Sequence, residues 1–202
     1  MPNNTMLPFH FCTERRLVQL TGQAARTLPE LLAVLRTITG ASIFYHTHHL
    51  FLSHHFEKPL VYNDFADWVS EALQEEALAE QLGAVDLLAF TSIRELRNTF
   101  IALIDAHLSV SGGRVRECPP GDEFHFCKSK SFVMSTGLVA NDVPEFFEKL
   151  STITNVSLYF HFLEARLRLE RRTNDFSEWL RGRGELALAD SIDCLDPYVV
   201  TL

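Results

Sequence analysis

The sequence lacks the features that mark secreted, membrane-spanning and zinc-ribbon proteins. Only four of its 202 residues are cysteines, and none of them forms a C-x-x-C pair, which argues against a zinc ribbon or a thioredoxin-type site. No run of 18 apolar residues occurs, so we expect no membrane span. The first six residues, M-P-N-N-T-M, are not a basic segment followed by an apolar run. We therefore expect no secretion signal and a cytoplasmic location.

Sequence signatures of several large enzyme classes are missing as well. The chain has no G-x-x-x-x-G-K-[ST], G-x-G-x-x-G, G-x-S-x-G or H-E-x-x-H segment, and we assign no catalytic residue. Its net charge is -8 at pH 7, and its isoelectric point is near 5.6. Because a nucleic-acid-binding protein needs a broad basic surface, we expect no nucleic-acid partner.

The sequence does contain a long match to itself. Residues 9–86 recur in residues 124–196, and the first 44 aligned pairs, from Phe9/Phe124 to Leu52/Leu167, include 17 identities without a gap. The segments F-H-F-C, T-G, P-E and T-I-T occur in both copies, and N-D-F-A-D-W in the first copy aligns with N-D-F-S-E-W in the second. A match of this length predicts a tandem duplication.

The match divides the chain into a first repeat at 1–110, a linker at 111–123 and a second repeat at 124–202. The linker contains Gly-Gly and Pro-Pro-Gly, which favour a loop. The first repeat ends in an amphipathic stretch, which follows the Ser92-x-x-Glu95 capping box and has no counterpart in the second repeat. We therefore expect the second repeat to expose an apolar groove that binds a partner helix or a second copy of the chain.

Each repeat is predicted to contain two strands followed by three or four helices. Residues 9–12 alternate like a strand, and residues 17–20 follow as the second strand of a hairpin that ends at Gly22. The predicted helix starts are the capping boxes at Thr27 and Asp142, the N-caps Ser42 and Ser157, and the boxes at Asp64 and Asp175. The predicted fold class is α+β and mainly helical, with two tandem ββααα(α) repeats whose hairpins share one small antiparallel sheet.

Most repeated residues have a structural explanation, so few remain as candidates for a site. The remainder is His10, Cys12 and His46, with their second-repeat equivalents His125, Cys127 and His161. Because side chains alternate along a strand, each His-x-Cys pair shares a face, and both residue types bind zinc. The structural alternatives are a small buried cysteine and a histidine that bonds a backbone carbonyl or the Asn-Asp before the third helix.

A second metal-ligand pattern lies on the following helix. His46 and His49 are three residues apart, as are His161 and Glu164 in the second repeat, so each pair shares a helix face. A surface histidine patch is the alternative explanation. We predict no cofactor, and a divalent metal such as zinc is the competing hypothesis.

An arginine cluster is present in the second repeat only. Its members are Arg166, Arg168, Arg171 and Arg172, followed by Arg181 and Arg183. Guanidinium groups bind carboxylates and phosphates, so the cluster indicates either an anionic ligand or acidic partner, or simply a solvated helix face.

The motifs S-I-F-Y-H (42–46) and N-D-F-A-D-W (63–68), repeated at 157–161 and 174–179, resemble those of an uncharacterised prokaryotic domain family. The resemblance covers nearly the whole chain and implies a small helical module, often in tandem, without an established activity. We therefore predict a protein of unknown function that is a non-enzymatic interaction or regulatory module, with a protein partner or self-association. The alternatives are a metal-binding protein or metalloenzyme that uses the helix histidines, and a binder of an anionic ligand at the arginine cluster.

Overall fold

The structure is a computed structural model, described here for residues 7–53, 63–110, 115–165 and 173–195. It is an α+β fold that is mainly helical, as predicted. In chain order, the elements are β1 (Phe9–Ala25), α1 (Leu28–Thr37), α2 (Gly40–Ser53), α3 (Asp64–Glu71), α4 (Glu76–Gly83), a 3-10 turn (Leu87–Ala89), α5 (Ile93–Val110), β2 (Phe124–Ala140), α6 (Val143–Leu150), α7 (Asn155–Tyr159), a π-helical segment (Phe160–Glu164), α8 (Asp175–Gly182) and α9 (Leu186–Asp193). None of the described helices is long and apolar enough to cross a membrane.

The prediction of a hairpin in each repeat is wrong. Each repeat contributes one continuous strand of 17 residues, and β1 and β2 pair as a two-stranded antiparallel sheet. The polar residues 13–16 contain no glycine, proline or asparagine, so they do not reverse the chain. Gly22 does not end the strand either. Gly22 and Gly137 have φ +79°, a left-handed conformation typical of a β-bulge within a strand.

The threonine before each of these glycines explains the repeated T-G segment. The Thr21 hydroxyl donates to the Phe126 carbonyl oxygen (2.8 Å) and accepts from the Gln23 N–H (3.2 Å). The Thr136 hydroxyl donates to the Phe11 carbonyl oxygen (2.7 Å). The side chain therefore supplies a hydrogen bond between the strands next to each glycine in the left-handed conformation.

The chain divides into two compact units. One unit consists of Leu17–Lys130 and is called the continuous unit here; the other combines Met1–Arg16 with Ser131–Leu202 and is called the split unit. Residues 9–16 of β1 thus belong with the helices of the second repeat, and residues 124–130 of β2 belong with the helices of the first repeat. The compact units are consequently not the same as the sequence repeats 1–110 and 124–202.

The two units have similar cores. In the continuous unit, Phe65 of α3 packs against Phe124 of β2 and Phe100 of α5. In the split unit, Phe9 of β1 contacts Phe146 and Phe176, which come from α6 and α8. Each core is built on the phenylalanines of an F-H-F-C strand that belongs, by sequence, to the other repeat.

Helix capping agrees with the sequence prediction at some helices and not at others. Thr27 and Asp142 cap α1 and α6 by accepting from the backbone N–H groups of Glu30 (3.3 Å) and Glu145 (2.9 Å), as predicted. The Ser92 hydroxyl likewise accepts from the Glu95 N–H before α5 (3.2 Å). These bonds satisfy backbone donors that the first helical turn leaves without a partner.

The predicted caps at Ser42, Ser157, Asp64 and Asp175 are wrong. Helix α2 begins at Gly40, before Ser42, and Thr154 is the N-cap of α7. The N-caps of α3 and α8 are Asn63 and Asn174, one residue before the aspartates. The serines bond the strand backbone, and the aspartates bond the histidines His46 and His161.

Candidate functional site

Two side chains of α2 hold the backbone of Cys127 in the continuous unit. The Cys127 N–H donates to His46 Nε2 (2.8 Å), and the Ser42 hydroxyl donates to the Cys127 carbonyl oxygen (2.6 Å). Ser42 and His46 lie one helical turn apart, and the N–H and C=O of one strand residue point in the same direction. The pair therefore satisfies both backbone groups of one strand residue, and we call this arrangement a strand clamp.

The split unit contains a second strand clamp with the same bonds. The Cys12 N–H donates to His161 Nε2 (2.8 Å), and the Ser157 hydroxyl donates to the Cys12 carbonyl oxygen (2.5 Å). His161 is the first-turn residue of the π-helical segment that continues α7. The histidine in each unit thus clamps the cysteine of the F-H-F-C segment from the other repeat.

An aspartate fixes each clamp histidine from the opposite side. The distance between His46 Nδ1 and Asp64 Oδ2 is 2.7 Å, and that between His161 Nδ1 and Asp175 Oδ2 is 2.9 Å. Since Nε2 accepts a backbone N–H, the imidazole proton is on Nδ1 and is donated to the carboxylate. Both ring nitrogens are therefore engaged.

Ser, His and Asp are also the residues of a hydrolase triad, but their geometry here is different. In a triad, the serine hydroxyl is hydrogen-bonded to the histidine nitrogen that faces away from the aspartate. Here Nε2 of His46 accepts the Cys127 N–H, and the Ser42 hydroxyl donates to a carbonyl. The arrangement holds a strand and does not activate a nucleophile.

The other repeated polar residues also support the strand and the helix start. Asn63 caps α3, and its side-chain amide donates to the Leu82 carbonyl oxygen (2.9 Å). The Trp68 indole N–H donates to the Asp122 carbonyl oxygen (2.7 Å), and Trp179 donates in the same way to Leu7 (3.0 Å). The motif S-x-x-x-H with N-D-F-x-x-W is therefore a set of contacts to the strand and to the residues before it.

The structure brings some of the predicted metal ligands together, although not as a ligand set. His46 meets Cys127, and His161 meets Cys12, through the cysteine backbone. His10 and His125 are exposed. Burial raises the pKa of the Cys127 thiol above its ordinary value, which opposes formation of the thiolate that binds metals.

No group of three or more His, Cys, Asp or Glu that could hold a metal ion occurs within the described parts of the chain. The side chain of His49 lies outside the described residues. A metal bound to His46 or His161 would have to displace a hydrogen bond of the clamp. The metal site stays a prediction.

Glu164 belongs to a buried charged cluster in the split unit that the sequence did not predict. The Arg16 guanidinium pairs with Glu164 (3.1 Å) and with Glu14, whose side chain is 1% exposed. Burial and then the neighbouring Glu14 carboxyl raise the pKa of Glu164 to about 7. Glu14 and Arg16 lie in residues that were predicted to form a turn, so sequence alone gave no signal for this cluster.

The structure describes two residues that follow the predicted anion-binding cluster. Arg166, Arg168, Arg171 and Arg172 themselves lie outside the described residues. Arg181 is paired with Asp190 (2.8 Å) and Asp193 (2.6 Å) within the split unit. Arg183 lies over the Trp179 ring, with Cζ 4.6 Å from the ring centroid.

A cleft of about 520 Å³ opens beside the clamp of the continuous unit. Its described lining comprises Tyr45, His46, Asp64, Asp67, Trp68, Glu71, Ala72, Asp122, Glu123, Phe124, His125 and Cys127. Five of these residues carry carboxylates, and none of the described lining residues is a lysine or an arginine. Burial raises the pKa of Asp67, and the nearby Glu71 and Asp64 carboxylates raise it further.

Comparison with known proteins places the chain in a family. Residues 6–202 match a family of unknown function (DUF5752). The chain belongs to this family. A solved structure described as "The structure of OrfY from Thermoproteus tenax" is similar to this DUF5752 chain, with 28% sequence identity and a TM-score of 0.83, and the similarity covers 98% of this chain and 89% of that one. No curated protein gives a significant match. The resemblance to an uncharacterised domain family is confirmed, and neither match assigns an activity.

Proposed function

We propose that this DUF5752 chain is a non-enzymatic interaction module, built from two copies of one unit, whose split unit binds an amphipathic helix of a protein partner. The observation that carries the proposal is an exposed apolar face on α6 and α9. In the split unit, Phe147 is 40% exposed and Leu188 is 38% exposed. An exposed apolar face is typical of a protein-binding surface.

The continuous unit supplies the reason for choosing a helix as the occupant. Leu32 and Leu78, which align with Phe147 and Leu188, are 6% and 0% exposed. Helix α5 packs against α1 and α4, the helices that carry these leucines. The inward residues of α5 are fully buried, as Leu96 and Phe100 illustrate. An amphipathic helix is thus the structure that covers the equivalent face within this same chain.

The roles of the repeated polar residues support a non-enzymatic function. The clamp histidines, serines and aspartates bond backbone or one another, so none of them is positioned as a nucleophile with its base. Turnover by the purified protein that is lost in both His46→Ala and His161→Ala, with the fold intact, would contradict this part of the proposal.

A peptide of residues 91–110, which contains α5, tests the helix-binding face. We expect it to bind the full chain with a Kd on the order of tens of micromolar by calorimetry, and Leu188→Asp to weaken binding at least about tenfold. Leu20→Asp is the matched control, because Leu20 is 71% exposed and lies on β1 in the continuous unit. Absence of saturable binding, or equal weakening by both substitutions, would overturn the proposal.

Light scattering distinguishes a partner helix from a second copy of the chain. We expect a monomer at high concentration that still binds the peptide. A dimer that Leu188→Asp dissociates would mean that the face binds another copy, and it would overturn the assignment to a partner helix.

Metal binding at the clamp histidines remains the competing hypothesis. Elemental analysis of protein prepared without a histidine tag decides it. One full equivalent of metal in the wild type, absent when both His46→Ala and His161→Ala are introduced, would favour metal binding. Less than about a tenth of an equivalent in the wild type would exclude it. For the arginine cluster, the corresponding test is a thermal-shift screen with phosphates, in which no stabilisation at millimolar ligand would exclude anion binding.

A further inference from the structure

In the split unit, a guanidinium group lies against the repeated tryptophan. Arg183 Cζ is 4.6 Å from the Trp179 ring centroid, and Arg183 Nη2 donates to the Leu7 carbonyl oxygen (3.2 Å). The same carbonyl oxygen accepts from the Trp179 indole N–H (3.0 Å). The ring and the carbonyl oxygen therefore form a guanidinium seat, which the chain fills with its own arginine.

The continuous unit has the same tryptophan and carbonyl oxygen, and no arginine among its described residues lies on the tryptophan ring. The Trp68 indole N–H donates to the carbonyl oxygen of Asp122, the residue that aligns with Leu7 (2.7 Å). Ala72 is the first residue after α3, as Arg183 is after α8, so the two occupy equivalent positions. The alanine methyl group cannot reach across the tryptophan ring, and both Trp68 and Ala72 line the 520 Å³ cleft.

The charges around the two seats differ in the direction that favours an external cation. Glu71 and Asp122 in the continuous unit align with Gly182 and Leu7 in the split unit. The seat with Ala72 therefore has two carboxylates that the seat with Arg183 lacks. Partial desolvation and then the neighbouring Glu71 and Asp64 carboxylates raise the pKa of Asp67, and a cation in the cleft would relieve the repulsion between these carboxylates.

We propose that the cleft of the continuous unit binds the guanidinium group of an arginine side chain that a partner protein presents. The guanidinium lies on the Trp68 ring and the Asp122 carbonyl oxygen, as Arg183 does in the split unit, and the Asp67 and Glu71 carboxylates neutralise it. Arginine is favoured over lysine because its planar group stacks on an aromatic ring and donates in several directions. The cleft exceeds the size of one guanidinium group, which leaves room for the neighbouring peptide.

This binding site goes beyond the helix-binding face and lies in the other unit, so the two proposals fail separately. Leu188→Asp, which tests the helix-binding face, leaves arginine binding unchanged. Ala72→Arg, which fills the seat in the continuous unit, leaves unchanged the binding of a 91–110 peptide in which Arg94 and Arg97 are replaced by glutamine.

The test compares the blocked peptides acetyl-Gly-Arg-Gly-amide and acetyl-Gly-Lys-Gly-amide, together with free arginine and Mg²⁺. The chain has two tryptophans, so the two indole N–H signals in NMR spectra report on the two seats separately. We expect the arginine peptide to shift the Trp68 signal and not the Trp179 signal, with a Kd at least about fivefold below that of the lysine peptide. Free arginine binding as tightly as the peptide would overturn the assignment to a partner protein.

Substitutions at the seat separate a specific site from a general acidic surface. Ala72→Arg supplies the guanidinium from the chain itself, so we expect no binding of the arginine peptide, while Ala72→Gln controls for side-chain length. Asp67→Asn and Glu71→Gln should each weaken binding at least about threefold, and Glu80→Gln, an exposed carboxylate on α4, should not.

Three further results would overturn the proposal. They are wild-type binding by Ala72→Arg, equal binding of the arginine, lysine and Mg²⁺ probes, and equal weakening by Glu71→Gln and Glu80→Gln. If Ala72→Arg does not fold, the peptide comparison and the two carboxylate substitutions still decide the question.

Discussion

His46 in the continuous unit and His161 in the split unit make the same contacts, whereas the residues that follow the repeated tryptophans differ in charge and size. Each histidine accepts a cysteine N–H and pairs with an aspartate. After the tryptophans, the continuous unit has Ala72 beside an acidic cleft, and the split unit has Arg183 on the ring. The shared residues therefore hold the strand in each unit, and the differing residues lie where we propose that the continuous unit binds an arginine of a partner protein.

The largest expected effect comes from removing a clamp histidine. We expect His46→Ala and His161→Ala each to lower the free energy of unfolding by about 3–5 kcal/mol, because a part-buried cysteine N–H loses its acceptor and a buried ring leaves a cavity. Urea unfolding of the two variants measures this loss.

Two histidines on the strands are the matched controls. His10 and His125 are exposed, and each lies two residues before a clamped cysteine. His10→Ala and His125→Ala should each change stability by less than about 0.5 kcal/mol. A large loss for one clamp histidine and none for the other would break the equivalence of the units.

The next effect belongs to the split unit alone and depends on pH. Glu164 has a pKa raised to about 7, while Glu14, Arg16 and Glu164 align with Ser129, Ser131 and His49 in the other repeat. A carboxyl group whose pKa is raised by folding contributes stability that is fully present below its unfolded pKa, about 4.5, and is lost as the pH rises through about 7. The loss is up to about 3 kcal/mol.

Glu164→Gln should remove this pH dependence. Relative to the wild type, the variant should gain stability between pH 5 and pH 8, and urea unfolding at these two values measures the difference. Glu148→Gln, an exposed carboxylate on α6, is the control and should leave the dependence unchanged. An unchanged pH dependence in Glu164→Gln would show that the buried carboxyl pair is not its source.

A smaller effect is expected from the clamp serines. Ser42→Ala and Ser157→Ala each remove one hydroxyl donor to a strand carbonyl, and the lost bond costs about 1 kcal/mol in the free energy of unfolding. Ser191→Ala is a comparison, because its hydroxyl donates to a carbonyl within its own helix and is exposed. Similar losses at the two clamp serines, both larger than that at Ser191, would support the equivalence of the two strand clamps.

The sequence predicted the helices well because their signals are local. Capping residues such as Thr27, Asp142 and Ser92 lie next to the donors that they satisfy, and the apolar positions follow the helical period. We also predicted that a histidine could bond the Asn-Asp pair before the third helix. The aspartate of each pair, Asp64 or Asp175, does bond a clamp histidine.

The sequence could not predict the contacts that depend on distant segments. The Ser42 and Cys127 positions are 85 residues apart, and those of Ser157 and Cys12 are 145 apart, so no local pattern assigns the serine hydroxyl to a strand carbonyl. The same applies to the cleft, whose carboxylates come from α3 and from the residues before β2. The prediction of a hairpin in each repeat was wrong because alternation alone does not distinguish two short strands from one long strand.

The smallest expected effect addresses the difference between the guanidinium seats directly. Arg183→Ala gives the split unit the residue that the continuous unit has, and Ala72→Arg makes the reverse change. Removing a cation from a partly exposed tryptophan costs about 0.5–1 kcal/mol in the free energy of unfolding. We expect Ala72→Arg to stabilise the chain by a similar amount, because the new guanidinium would lie on Trp68 and among carboxylates that have no lysine or arginine within the described lining.

Thermal unfolding at low and high salt measures both changes, and the gain should shrink at high salt because the carboxylates contribute to it. If both Ala72→Arg and Arg183→Ala destabilise the chain, the two tryptophans do not form equivalent seats. The equivalence of the two units would then hold for the strand clamps alone.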